Sequence, residues 1–593
     1  MLTMLIRLAI FRPRTLCSFL CFGVLLPGVL AHAQTRPSPS PEDSACPRPA
    51  EGSTVIEPID LRSEKGVLRV ELAFQSFVGP DGFTRYCYTY KDGTQSPNLR
   101  LHPGDTLILT LKNAVPLPPG PTGNDSSHAR IPKNFAAERP SGNPCTGGVM
   151  TSASTNVHFH GMVIPPVCHQ DETIKTLIHP DSPPFEYRIQ IPKSESPGLY
   201  WYHPHPHGFS EKQVLGGASG ALIVEGIEKF NPTVSALPER ILIIRDQPMP
   251  QASLPSSTDP NKPTKDVSLN YIPVTYPNYL PAVLETRPGQ KELWRVLNAS
   301  ADTFLDLALL FDGKPQSIGL IALDGVPIGF DEGNTQDRVV WTTRVLVPPA
   351  GRAEFIVTTP LPGVEAKFVT SAVGRGPLFD PDRRLTPGLS VTPPGQADQD
   401  DNDPARLLAT FRVSPAAPQP RSFLPLSPKQ LLSSRVTSLA STRPIHTRRF
   451  YFSEELVDPK NPRGATLFYI TEEGHTPKVF DPTAPPDVVV HNGDVEDWIV
   501  ENRTSEPHSF HIHQTHFLVV GRMGGAYEEL TLRDTINIPF WNGFTRQYPS
   551  AKLRMDFRDP NIIGTFPYHC HILQHEDGGM MGSIRVEPPV NKK

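Results

Sequence analysis

The sequence predicts an all-β protein assembled from three copies of one two-sheet sandwich, on the strength of its composition and an internal repeat. The 593 residues include 69 prolines and 43 glycines, too many for a helix-rich chain, because a proline inside a helix costs about 3 kcal/mol. A chain of this length also exceeds what one hydrophobic core supports, so about three or four domains are expected. The repeat sets the division. Residues 102–113 read HPGDTLILTLKN, 287–298 read RPGQKELWRVLN and 491–502 read HNGDVEDWIVEN. Each has Gly third, a polar residue fourth and Asn twelfth, and alternating apolar residues such as Leu107, Leu109 and Leu111 mark a half-buried strand. Three widely spaced copies point to three homologous β domains.

A second repeat links only the outer two. GLYWYHPH opens at Gly198 and GTFPYHCH at Gly564, and each is followed by a strand ending in glutamate, GALIVE over 220–225 and GSIRVE over 582–587. The middle segment has matching strands near 345–347 and 354–357 but no histidine pair beside them. Short, regularly punctuated strands of this kind suit two-sheet sandwiches. The expected domains are 55–226, 227–413 and 447–593, with a linker over 414–446 and a shorter one near 227–238. Residues 116–144, 250–281 and 377–404 read as long loops within domains.

The N-terminus reads as an export signal over 1–33. Arg7, Arg12 and Arg14 precede the apolar stretch 16–30, and Ala31-His32-Ala33 supplies small residues for cleavage. An uncleaved anchor is the alternative, although no second apolar run is long enough to span a bilayer. Residues 34–54, rich in Pro and Ser, read as a flexible leader. A secreted or periplasmic protein is therefore expected, free of the membrane after cleavage and monomeric. The formal charge of −5 is mild and offers nothing that would attract nucleic acid or an anionic membrane. Cys46, Cys87, Cys145, Cys168 and Cys570 remain after cleavage. The first four allow three pairings, of which Cys46–Cys87 with Cys145–Cys168 is the one expected, leaving Cys570 for other chemistry.

Of 20 histidines, ten fall in four clusters: His158-Phe159-His160, His203-Pro204-His205, His508-Ser-Phe-His511-Ile-His513, and His569-Cys570-His571 followed by His575. Side chains two apart on a strand share a face, so each His-x-His pair aims two imidazoles into one volume. Cys570 points the other way and can serve a separate metal together with the spare His508 and His575. Met580 would be a weak axial thioether there, and Met581 competes for that role. Two His, one Cys and a distant Met are the ligand set of a blue-copper centre. A lone His-x-His is more often structural, and a single Cys/His cluster is more often zinc. Zinc, however, calls for neither paired histidine strands nor the methionine.

The motifs HFHG, WYHPHPHG, HSFHIH and HCHILQHEDGGMM resemble those of the multicopper oxidases, and the resemblance covers roughly residues 55–590. It implies three cupredoxin-like Greek-key domains. It also implies four copper ions, one type 1, one type 2 and two type 3. Carried over by position, His508, Cys570, His575 and Met580 would bind type 1 copper, and His158 and His511 type 2 copper. His160, His203, His205, His513, His569 and His571 would bind the type 3 pair. The implied mechanism is a relay in which a substrate electron reaches type 1 copper and leaves through Cys570 for the cluster, where dioxygen is reduced to water. Glu576 and Asp171 would supply protons. Asp171 departs from the family pattern, since Cys168-His169-Gln170 precede it where relatives commonly have Asp-Gly, and both carboxylates could instead be solvated surface groups. His207 and His516 could orient ligands, while His102, His128, His179, His446 and His475 are expected at the surface.

Three functions fit. A laccase-like oxidase of phenols or aromatic amines leads. A metal-ion oxidase acting on Cu(I), Mn(II) or Fe(II) is second, with Cu(I) disfavoured by the absence of a Met-rich insert. A non-enzymatic binding module is third, and the complete ligand set speaks against it.

Overall fold

The computed structural model describes residues 46–116 and 143–249 (apart from Pro80 and Val149), 263, 265–330, 338–373, 403, 405–422, 438–460, 465–523 and 531–589. The expected signal segment, His128, and most of the loops over 116–144 and 377–404 lie outside the described residues. Strands dominate, and the helices that bear on the site, Ser210–Leu215 and Leu573–Asp577, are short. Among the described residues no helix is long and apolar enough to cross a membrane.

Six sheets share three large cores. A four-stranded and a five-stranded sheet enclose Phe74, Leu109, Tyr200 and Leu222. A second pair encloses Leu242, Trp294, Leu307 and Phe368. A third encloses Phe450, Trp498, Phe510 and Tyr568. In each sandwich the repeat strand holds the same place. Thr106–Asn113, Lys291–Asn298 and Val495–Asn502 pair in parallel with Val67–Val78, Pro238–Pro248 and His446–Leu456, and antiparallel with Phe185–Gln190, Arg352–Thr358 and Ser550–Asp556. Parallel neighbours cannot be joined by a hairpin, so the chain visits the opposite sheet between them, as a Greek key requires.

The twelfth-position asparagine has the same task in each copy. Asn113 donates to the carbonyls of Ala153 and Ile178, Asn298 to those of Thr303 and Val347, and Asn502 to those of Glu506 and Ile538. Its carbonyl oxygen accepts the backbone N–H two residues on, from Val115, Ser300 and Thr504. A short amide thus satisfies buried backbone groups of two loops where the strand ends, and leaving such groups unpaired would cost about 1–3 kcal/mol each.

The strands that carry the first domain's histidines are apolar on both faces. Tyr200, Tyr202 and Leu222 face their own core, while Leu199, Trp201, Ala221 and Ile223 pack against Ile241, Ile243 and Leu297 of the middle sandwich. Continuous burial of this kind is expected of a strand covered on both sides.

Several expectations need correction. Residues 46–54, assigned to a flexible leader, are tied down: Cys46 is buried and bonded to Cys87, the Arg48 guanidinium lies 4.5 Å from the Tyr271 ring centroid, and Thr54 bridges to Val283. The expected loop 250–281 contains a hairpin of Lys265–Leu269 and Ile272–Val274, which extends the sheet beside Pro238–Pro248. The expected linker 414–446 contributes the strand Arg421–Ser422 to the middle sandwich and buries Leu439 against the last one. Runs of proline hid these short pairings, because edge and terminal strand positions tolerate proline. The second disulfide is Cys145–Cys168, and Cys570 is free and buried.

Candidate metal centres

Strand register assembles the histidines. In the first sandwich His158 on His158–His160 lies opposite His203 at the end of Gly198–His203. In the last, His511 on His508–Ile512 lies opposite His569 on Gly564–Cys570. Directly opposed residues hold their side chains on one face, so each sandwich presents a patch of imidazoles. The two patches meet face to face: His158 stacks on His513 with ring centroids 3.8 Å apart, and His160 on His511 at 3.9 Å.

Within this cluster the rings can be grouped as two triads and a pair, although His158 also lies 5.2 Å from His203 and 5.3 Å from His160. His160, His203 and His571 lie 5.1, 5.5 and 5.6 Å apart. His205, His513 and His569 lie 4.8, 5.2 and 5.3 Å apart. His158 and His511 stand between them at 6.0 Å. All eight are buried.

The outward nitrogen of several rings is already engaged, which turns the other one inward. Nδ1 of His203 donates to the Pro204 carbonyl and Nδ1 of His569 to that of Cys570, both at 3.0 Å. Nδ1 of His511 donates to the Asp534 carbonyl at 2.8 Å, and Nε2 of His160 to the Asp534 carboxylate at 3.2 Å. Asn156 grips both backbone polar groups of His205. Nitrogens left without a protein partner include Nε2 of His158, His203 and His511, Nδ1 of His160, and both of His571. Nε2 of His569 lies 3.4 Å from that of His205 and 3.2 Å from that of His513. Burial, and then repulsion among their charged forms, lowers the pKa values of His158, His160, His513 and His571 and takes His203 to about 3, while burial lowers that of His511 against the opposing pull of Asp534. Buried neutral imidazoles with convergent lone pairs and no donor to satisfy them are what cations such as copper require.

The carboxylates lie against this cluster. The Asp171 oxygens are 3.0 and 3.1 Å from Nδ1 of His158, and they accept from the Phe159 N–H and the Gln514 amide. Burial raises its pKa well above the usual range, so the solvated reading of Asp171 does not hold. Glu576 is fully buried, with one oxygen 3.0 Å from Nδ1 of His569 and the other 3.5 Å from Nε2 of His205. Burial opposes its ionisation, but His205 and His569 outweigh that and lower its pKa. Asp534 was not singled out in the sequence. It touches His160 and His511, lies 3.6 Å from Nε2 of His516, and is held by Arg352 of the middle sandwich. Arg352 overcomes the effect of burial and holds Asp534 at about 2. Of the histidines expected at the surface, His446 and His475 are exposed, whereas His102 and His179 are half-buried against Asp105 and Ser154.

The second centre lies within the last sandwich. Cys570 Sγ is 3.5 Å from Nδ1 of His508 and 3.7 Å from Nδ1 of His575, and those nitrogens are 3.1 Å apart. His508 comes from a strand and His575 from the helix Leu573–Asp577. Met580 lies in the same core cluster as Cys570. Met581 pairs across the sheet with His569 and so shares its face, which separates the two methionines. Thr504 Oγ1 bonds Nε2 of His508 at 2.8 Å, and Glu506 lies 3.1 Å from Nε2 of His575. Phe452 and Phe468 pack against the two rings. Burial lowers the His575 pKa, but Glu506 and Cys570 more than compensate and raise it to about 10. A cysteine sulfur and two histidine rings in one dry site fit copper. His569-Cys570-His571 thus joins both centres through a single tripeptide.

Family models described as multicopper oxidase match residues 459–590 and 150–229, the segments that carry the four clusters. Over these two segments the chain matches the multicopper oxidase family. It is 25% identical over 441 residues to the multicopper oxidase mco of Staphylococcus aureus, covering 73% of this chain and 77% of that one. It is 23% identical over 463 residues to a laccase of Bacillus subtilis, covering 73% and 80%. Among solved structures, a multicopper oxidase from Campylobacter jejuni described as a metallo-oxidase superposes with a TM-score of 0.59 at 22% identity, covering 91% of this chain and 96% of that one. These similarities support a copper oxidoreductase that uses dioxygen and a reducing substrate, and the fold is of the cupredoxin type.

Proposed function

We propose that this protein is an exported, monomeric laccase-like multicopper oxidase that oxidises phenols or aromatic amines one electron at a time and reduces dioxygen to water. In this reading His508, Cys570, His575 and Met580 hold a type 1 copper and His158 and His511 a type 2 copper. The two triads each hold one of two type 3 coppers. Copper bound at these places supplies one-electron chemistry toward the substrate and four-electron chemistry toward dioxygen. The chain's own residues do the rest. Asp171, kept protonated by burial, holds a proton beside the cluster, and the Glu576 carboxylate, 3.0 Å from Nδ1 of His569, can accept one and pass it on. Asn156, Asp171 and Asp534 fix ring orientation, and the dry walls keep bulk water from the reacting centre.

The observation that carries the substrate class is the surface beside the Cys570 centre. Thr504, which bonds His508, accepts through its carbonyl the N–H of Trp541 at 2.8 Å. From there the chain presents Phe544, 92% exposed, and Tyr548, whose ring is 5.0 Å from Trp541. Arg503 packs over Tyr451 and Tyr548. Flat rings next to a histidine-coupled loop suit a planar aromatic reductant, and Glu506 offers a carboxylate to accept a phenolic proton. The same carboxylate on His575 favours a metal-ion substrate as the second reading.

The deciding measurement is turnover of a phenol, an aromatic amine, Cu(I), Fe(II) and Mn(II) in air. The phenol and amine are expected to turn over fastest, with Phe544→Ala raising KM for both. Organic oxidation that appears only when a metal ion is added would transfer the assignment to metal-ion oxidation.

A further inference from the structure

The middle sandwich offers no histidine or cysteine, yet one of its strands reaches both halves of the histidine cluster. Arg352 and Glu354 stand two residues apart on Arg352–Thr358 and so project from one face. Glu354 accepts the backbone N–H of Leu199 at 2.8 Å, and Nε of Arg352 donates to the carbonyl of the same residue at 3.2 Å. Leu199 lies on the strand that ends at His203. The remaining arms of Arg352 close on Asp534 of the last sandwich, Nη1 at 2.8 Å and Nη2 at 2.5 Å. Asp534 in turn engages His160 through its carboxylate and His511 through its carbonyl. The contact closes because Gly161, directly after His160, has no side chain: a Cβ there would lie 2.5 Å from both Arg352 and Asp534, and its φ of +87° disfavours any other residue. Residues of all three domains therefore meet at one guanidinium, which is fully buried.

We propose that Arg352 is a positioning residue for the histidine cluster, setting the orientation of His160 and His511 through Asp534 and the placement of His203 through Leu199. The assignment rests on the reading that the cluster binds copper. A planar, permanently charged fork suits the task, because it fixes a carboxylate in two dimensions while its third arm holds a backbone carbonyl. Pure domain docking is the competing role, and Arg533 supplies the control. Arg533 bonds Asp324 of the middle sandwich at 2.6 Å, also across a domain boundary, through a carboxylate that holds the Arg352 backbone N–H and lies 3.7 Å from its Nη1, rather than through one that touches a cluster histidine.

The test compares copper-loaded wild type with Arg352→Met, Arg352→Met/Asp534→Asn and Arg533→Met. Copper per chain, blue absorbance, the type 2 paramagnetic signal and melting temperature are measured, and copper release to a chelator is followed. Arg352→Met is expected to keep its blue absorbance while its cluster copper is held about 10–100-fold less tightly, with a changed type 2 signal. Arg533→Met is expected to lower the melting temperature and leave that signal unchanged. If Arg352→Met does not accumulate, the double variant, which buries no unpaired charge, carries the comparison. Wild-type copper retention and an unchanged type 2 signal in the Arg352 variants would overturn the proposal. So would an equal disturbance in Arg533→Met. Failure of the copper reading itself would show separately, as wild type that binds no copper at the cluster.

Discussion

The Cys570 centre and the histidine cluster share one tripeptide but are built on different principles. The first is local: His508, Cys570, His575 and Met580 all come from the last sandwich, and its outward nitrogens are bonded by Thr504 and Glu506 of the same domain. The second has no complete form in any one domain. Its rings come from two sandwiches, stacked across the interface at 3.8 and 3.9 Å, and the third sandwich braces it through Arg352. A site of three or four donors can be assembled by one fold. A site that must hold several cations out of water is better buried between folds, where imidazoles can approach from opposite sides.

The largest test of this division is Cys570→Ser. Blue colour and oxidase activity are expected to vanish together, while copper at the histidine cluster is retained, as measured by visible absorbance and copper per chain. A variant that stays blue would remove Cys570 from the mononuclear centre. Next is Glu576→Gln, expected to slow reoxidation of the reduced protein by dioxygen about 100-fold or more, with reduction by substrate unchanged; stopped-flow absorbance separates the two half-reactions. Equal slowing of both would place Glu576 outside proton supply.

Acid should separate the centres in copper-free protein. His158, His160, His205, His511, His513 and His571 have folded pKa values below the ordinary 6.5, and His203 is at about 3. As pH falls below 6.5 the unfolded chain takes up protons that the folded cluster refuses, so stability is lost on acidification. His203 alone accounts for about 2 kcal/mol between pH 6.5 and about pH 5. Denaturant unfolding at each pH measures this, and a flat profile for the copper-free chain would refute it. Replacing cluster histidines with Asn should flatten the slope.

The smallest effect uses the repeat as its own control. Asn502→Ala and Asn298→Ala should each cost about 2–3 kcal/mol by stranding buried backbone groups. Only Asn502→Ala should also shift the blue spectrum, because Asn502 holds Thr504 and Glu506, the partners of His508 and His575. Identical spectra in both variants would reduce Asn502 to a structural post.

Much of this was legible because it is periodic. Alternation along strands separates Cys570 from His569 and His571, and the repeat identifies the parallel strand of each sandwich. Short pairings such as Lys265–Leu269 with Ile272–Val274 were missed because proline-rich surroundings read as loop. Asp534 and Arg352 were missed because an acidic residue after Arg533 and an arginine after Gly351 carry no periodic signal.

The sequence by itself determined the strand order of the chemistry: which residues are candidate metal donors, which of them share a face, and which domains carry them. These follow from side-chain type and from the two-residue period of a strand. Only the tertiary structure decided which histidines meet across the interface, that Asp171 and Glu576 lie inside rather than at the surface, and that a middle domain without donors reaches the cluster through Arg352. Those depend on how sheets dock across an interface, where residues hundreds of positions apart are brought within hydrogen-bond distance by packing that no local pattern encodes.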